Sequence, residues 1–269
     1  MLYIEKGVCP SEILAEIDAI KNSEEWQDIP DPANQCLDGE EKRLATKRIR
    51  VCFNRLNKMR IRESLLAEQH YLCAYCMHPI KNESLHTSIE HWTPLSKSKE
   101  HALDYQNFLA TCKGGSDIRD LTPSQRLTCC DAQKGDNDSI TLDPRNREMI
   151  AGITYLHDGI IVYRDTPPFD RLSIQNDIDN VLRLNGKLDQ EGFCRQDTST
   201  QLVKQRRDVY QNTEKVCLDC LNLGTLTTEW LNAKIEECLS QEHRERFAGV
   251  AIFVYKIYLK RLQKQAETG

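Results

Sequence analysis

The pair Cys73-Ala74-Tyr75-Cys76 constrains this chain more than any other stretch. Two thiolates separated by two residues sit on a tight knuckle, where both sulfurs can reach one Zn²⁺ at ~2.3 Å. The chain has 12 cysteines in 269 residues, and their meaning depends on the compartment. The opening MLYIEKGVCPSEILAEI meets Glu5 and Lys6 too early for the apolar region of a signal peptide. No apolar run approaches the ~20 residues of a membrane span, so the expectation is a cytoplasmic protein with no membrane partner. Thiols stay reduced there, and close spacing then points to metal. A zinc site needs two more ligands. Cys112 and Cys130 would complete a four-thiolate site, with Cys129 the alternative to Cys130 and His78 a substitute for a thiolate. The 113–128 loop between them is long for a zinc knuckle. Cys217-Leu218-Asp219-Cys220 repeats the spacing with no second pair nearby and reads as ordinary core or surface thiols.

The surrounding pattern predicts an α+β fold. Residues 11–22 make a short amphipathic helix, with Ser11 as N-cap and Ile13, Leu14, Ile17 and Ile20 on one face. The stretch Leu85–Trp92 suits a short strand, and Asn107 precedes a second apolar strand. Cys130–Gly135 reads as a helical turn and a half closed by glycine. ITYLHDGIIVYR (153–164) alternates around Asp158-Gly159 and reads as a β-hairpin. Helical periodicity then dominates near 175–184, 199–222, 226–240 and 243–265. The last helix is a packing or subunit-contact element that could join two copies in a homodimer. Three segments result: a helical and basic one (1–68), a chemical core (69–147), and a hairpin with a helical bundle (148–269). At 39% hydrophobic and 29% charged, the chain has the make-up of a globular protein with a real core.

A net charge of −5 argues against nucleic acid, but the local distribution does not. From Lys42 to Arg62 there are nine Lys or Arg and no Asp or Glu. Such a block suits phosphates, with Lys47, Arg48, Arg50 and Arg55 as contacts. The bland alternative is a helix docked on an acidic surface of its own chain or of a partner.

The core segment carries a compact set of chemical groups. Glu90-His91 ends the first strand, Asn107 starts the second, and Asp131 and Lys134 lie three apart on one face of the short helix. A neutral imidazole can take a proton from water at cellular pH, and two hard carboxylates suit Mg²⁺ or Mn²⁺. His86 and His101 flank the motif and read as solvated loop histidines, while Trp92 reads as a packing residue. No G-x-x-x-x-G-K-[ST] run is present, so the chain lacks the phosphate loop of nucleotide hydrolases.

Taken together, CAYC…IEHW…YQNFLATC…CDAQKGD…LDP resembles the HNH (ββα-metal) nuclease motif. It is similar to the HNH subunit of Septu-type anti-phage systems, some of which accompany retrons. The resemblance implies a zinc-stapled ββα core, a catalytic Mg²⁺ or Mn²⁺, DNA as substrate and a separate ATPase partner. It makes His91 the general base, Glu90 and Asp131 the metal-binding acids, and Asn107 the residue that braces the loop and orients His91. Lys134 would contact the scissile or a neighbouring phosphate. The chain departs from the literal spelling, with Asp131 in the third position and Glu90 as the first acid; both are oxygen ligands. Two other readings stand beside this one, a zinc-knuckle binder that holds nucleic acid without cutting and an interaction subunit with a degenerate centre.

Overall fold

The computed structural model describes residues 1–135 and 139–268. Asp136, the last residue of the CDAQKGD run, lies outside them. The N-terminal third is helical: α1 (Ser11–Lys21), α2 (Glu24–Gln27), α3 (Gly39–Asn54) and α4 (Lys58–Glu68). Pro10, not Ser11, is the N-cap of α1, and the Ser11 hydroxyl turns to Glu12. Ile13, Ile17 and Ile20 are buried as the periodicity requires, but Leu14 is 46% exposed. The basic block breaks into two helices. Asp38 and Glu41 form a reciprocal capping box that starts α3. The Asn57 side chain then caps α4 by accepting from Arg60 N at 3.2 Å.

β1 (Thr87–His91) and β2 (Phe108–Cys112) form an antiparallel pair, with Glu90 opposite Leu109 and His91 opposite Phe108. All five residues of β2 are buried because the strand packs against α4 and against α5 (Cys130–Lys134). The free edge of β2 is also satisfied. The Gln69 amide exchanges two hydrogen bonds with Ala110, at 2.8 and 2.8 Å, and Ala74 N donates to Ala110 O at 3.1 Å. This leaves no unpaired buried strand edge at that point.

Beyond the short helix α6 (Arg147–Ala151) comes the predicted hairpin, β3 (Ile153–Tyr155) with β4 (Ile161–Tyr163). Its turn requires Gly159 at φ +92, where a Cβ would meet Val203 O at 2.2 Å. Next are α7 (Arg171–Asn176) and a small hairpin that the sequence pattern did not reveal, β5 (Lys187–Leu188) with β6 (Cys194–Gln196). The chain ends in α8 (Leu202–Asn222), α9 (Thr228–Ser240) and α10 (Ala248–Thr268). Mixed helix and small sheets make the architecture compatible with α+β. One buried apolar cluster runs from Met1 through Phe108 and Leu142 to Val250, so all three sequence segments contribute to a shared core. A second, smaller cluster joins Cys217 and Leu231 to Val254 and Tyr258. No helix among the described residues is long and apolar enough to cross a membrane.

Candidate active site and metal centre

The four sulfurs of Cys73, Cys76, Cys112 and Cys130 lie within 4.8 Å of one another, and all four residues are buried. The sulfurs of Cys73 and Cys130 lie 3.9 Å apart and those of Cys76 and Cys112 3.7 Å apart. Four thiolates bound at ~2.3 Å to a tetrahedral ion sit about 3.8 Å apart, so this donor set fits Zn²⁺. Local backbone builds the knuckle. Cys73 N donates to His78 O and Met77 N to Cys73 O, with Met77 held at φ +61.

The long 113–128 excursion does not separate the ligands, because its two ends touch. Cys129 N donates to Gly114 O at 3.1 Å, and a Cβ on Gly114 would lie 2.0 Å from Cys129 O. Only glycine lets the backbone after Cys112 approach this closely. Cys130 then takes φ +54 and donates its N–H to Leu182 O, which turns its sulfur into the cluster. Of the two candidates for the fourth ligand, Cys130 is in the cluster. Cys129 stands beside it, 3.8 Å from the Cys130 sulfur and 3.7 Å from the Thr200 hydroxyl. His78 stays outside the cluster, as does the Cys217–Cys220 pair.

Because Cys130 opens α5, the cluster fixes the helix that carries Asp131 and Lys134. These residues face an open groove of about 300 Å³ that also holds Glu90 and His91. His91 is 8% exposed, wedged edge-on against Phe53 and Phe108 with ring centroids 4.4 and 5.0 Å away. Its Nε2 is 3.1 Å from Ala102 O. A carbonyl only accepts, so Nε2 carries the proton and Nδ1 keeps the lone pair. Burial pushes the imidazole down to about 3, and nearby Lys58, Arg50 and Lys134 act in the same direction. His91 is therefore neutral at cellular pH.

Asn107 is 3% exposed and braces the loop between the two strands. Its Oδ1 accepts from Thr93 N at 2.8 Å, and its Nδ2 donates to Thr93 O and His101 O at 3.0 and 2.9 Å. His101 precedes Ala102, so Asn107 steadies the carbonyl that holds His91.

Lys134 departs from its expected role as a free phosphate contact. It is 2% exposed, and its ammonium binds Glu90 Oε1 and donates to the carbonyls of His91 and Trp92 at 3.0 and 3.4 Å. The helix face was right, but the depth of that face beneath β1 turns the ammonium inward. Burial, then the charge of Asp131, raise the Glu90 carboxyl well above its usual range, while Lys134 opposes them. Two carboxylates crowded in this way favour a cation between them. Mg²⁺ or Mn²⁺ is commonly held by one or two carboxylates plus water and phosphate oxygens, and Glu90 and Asp131 are the two carboxylates that line this groove.

The basic block divides between two jobs. Arg48 donates to Asp28 O and Glu25 O, and Arg55 pairs with the Glu25 carboxylate, so both brace α2. Lys47 is exposed. Only Arg50 of the four expected contacts lines the groove, where Lys58, Arg62 and Lys113 join it. Sequence reasoning missed these three, although Lys58 and Arg62 stand four apart in the same block and so share a helix face. Trp92 packs as expected, its indole N–H on Leu142 O at 3.0 Å. His86 and His101 are about half exposed and sit 3.8 Å from Asp117 and Asp104. No protein-family model matches this chain, and no curated protein does either.

Proposed function

We propose that this chain is a metal-dependent HNH-type endonuclease. The observation that carries the reading is the convergence of Glu90, His91 and Asp131 on one groove whose walls are basic. Hydrolysis of a phosphodiester needs an activated water, charge neutralisation on phosphorus and a stabilised leaving oxygen. His91 Nδ1 is the base for the water proton; burial keeps it neutral, and an arriving phosphate anion raises its proton affinity. Asn107 and Ala102 O hold the ring in the tautomer this requires. Lys134 opposes the upward push on the Glu90 carboxyl and aims it. Arg50, Lys58, Arg62 and Lys113 place the phosphate backbone along the groove. Glu90 and Asp131 would hold a divalent ion, which would supply charge neutralisation for the phosphate and leaving oxygens.

DNA as the substrate, and a role as effector of an anti-phage complex with a separate ATPase, come from the sequence resemblance. A zinc-knuckle binder would keep the basic walls but has no use for a buried Glu90 and a part-buried Asp131 beside a neutral imidazole. Supercoiled plasmid with the purified chain in Mn²⁺ or Mg²⁺ tests the reading. Nicking by the wild type that disappears with His91→Ala and with EDTA supports it. Intact plasmid both for the chain alone and with a Septu-type ATPase added to the same tube would overturn it.

A further inference from the structure

A second cavity lies away from the groove and has no part in the chemistry above. It encloses about 480 Å³ where the N-terminal segment, the end of α4, α6, β3 and α10 meet. That volume falls in the range of ~300–1,000 Å³ typical of small-molecule sites. One wall is apolar, made by Ile150, Ile153, Tyr155, Ile252 and Phe253, with Tyr155 and Phe253 packed edge to face at 5.5 Å. The rim is cationic: Arg147, Arg244 and Lys256 all line it.

Three features distinguish this cavity from a packing defect. Tyr155 is 4% exposed, and its hydroxyl is buried with no hydrogen-bond partner. A buried, unsatisfied hydroxyl is destabilising unless something supplies a partner. Next, the acids at the site are largely taken or peripheral. Glu68 is bound to Lys6 at 2.6 Å, to Tyr105 at 2.8 Å and to Gly7 N at 3.0 Å, while Glu5 is solvent-exposed. Finally, the cations are positioned for a ligand. Arg147 sits over Tyr3 with its guanidinium carbon 4.4 Å from the ring centroid. Arg244 is anchored on Leu239 O at 2.9 Å. Lys256 is exposed and has no partner among the described residues.

We infer that this cavity binds a small amphipathic anion, with its apolar body against Ile153, Tyr155 and Phe253 and its acidic group at Arg147 and Lys256. Mononucleotides and medium-chain fatty acids share that chemistry. The fluorescent anion 1-anilinonaphthalene-8-sulfonate is the direct probe, titrated into the full chain. The expected result is one probe per chain, bound at least tenfold more weakly by the Arg147→Glu/Lys256→Glu variant and by Ala151→Trp, which fills the cavity mouth. Lys204→Glu, an exposed charge reversal on α8, should leave binding unchanged. Competition then separates the sources: displacement by AMP points to a nucleotide, and displacement by octanoate to a fatty acid. Circular dichroism of each variant shows that it is folded. Absent binding, binding indifferent to both cavity variants, or a probe that neither competitor displaces would overturn the inference. The test needs no cleavage and is independent of the nuclease reading.

Discussion

Lys134 and Arg206 are the Lys and Arg residues buried among the described residues, and they are compensated in opposite ways. Lys134, in the groove, is 2% exposed and meets a carboxylate directly. Arg206, on α8, is 1% exposed and meets none. Its guanidinium donates to Gly159 O and Leu184 O at 2.8 Å each and to Asn185 Oδ1 at 3.2 Å, while Nη1 has no partner. Burial brings Arg206 down to about 10, and the groups that hold its charge up are Asp197, then Cys76, Cys129 and Cys130. Four thiolates around one Zn²⁺ carry two net negative charges, so the loaded metal centre is a counter-charge for Arg206. In the groove Glu90 is matched by a side chain, whereas zinc-bound thiolates would be the counter-charge of Arg206. A buried charge is tolerated only when matched, so the two regions should respond to different insults.

Zinc removal should have the largest effect. Structural zinc sites contribute apparent free energies of ~10–16 kcal/mol to the folds they hold. Cys76→Ala, or a strong chelator, should therefore abolish cooperative melting and release one zinc per chain, as read by calorimetry and a colorimetric zinc assay. A protein that melts unchanged without zinc would break the comparison at its first limb.

Next come the two cations. Lys134→Met leaves the buried Glu90 without its counter-charge and should cost about 3–5 kcal/mol in urea unfolding. Arg206→Met leaves only carbonyls unpaired and should cost about 1–3 kcal/mol. It should also weaken zinc at least tenfold in a competition assay, whereas Lys134→Met should leave zinc affinity alone. Equal zinc affinities in both variants would erase the distinction.

The smallest effect concerns the brace. Asn107→Ala removes three hydrogen bonds and should cost roughly 1–3 kcal/mol. His91 stays in place against its two phenylalanines but loses its fixed carbonyl partner, so nicking should fall about 10²-fold with zinc content intact. Full activity would show that the loop holds itself.

These contrasts explain what was legible in the sequence. The thiol ligands could be read because metal spacing is a local, covalent constraint, and Cys130 matched while its neighbour Cys129 fell just outside. The order of strand, Asn107, strand and short helix was equally readable, since each piece is set by its own five or six residues. Depth was not readable. Lys134 shares a helix face with Asp131, yet nothing in CDAQKGD says that the face lies beneath β1. Arg48 and Arg55 look no different in sequence from Arg50, but α2 claims them through Glu25 and Asp28. Leu14 obeys the helical period yet sits at its margin, 46% exposed. Arg206 carried no signal at all, because its environment is assembled from residues 159, 184 and 185.

The central claim is that Glu90 and Asp131 hold one divalent ion beside a neutral His91, separate from the four-thiolate zinc site. Electron paramagnetic resonance of Mn²⁺ titrated into the zinc-loaded chain tests it directly, with zinc measured in the same samples. The account predicts one bound Mn²⁺ in the wild type, its loss in Glu90→Gln and Asp131→Asn, and one zinc in all three. Mn²⁺ binding that survives both substitutions, or that disappears only when zinc does, would contradict it.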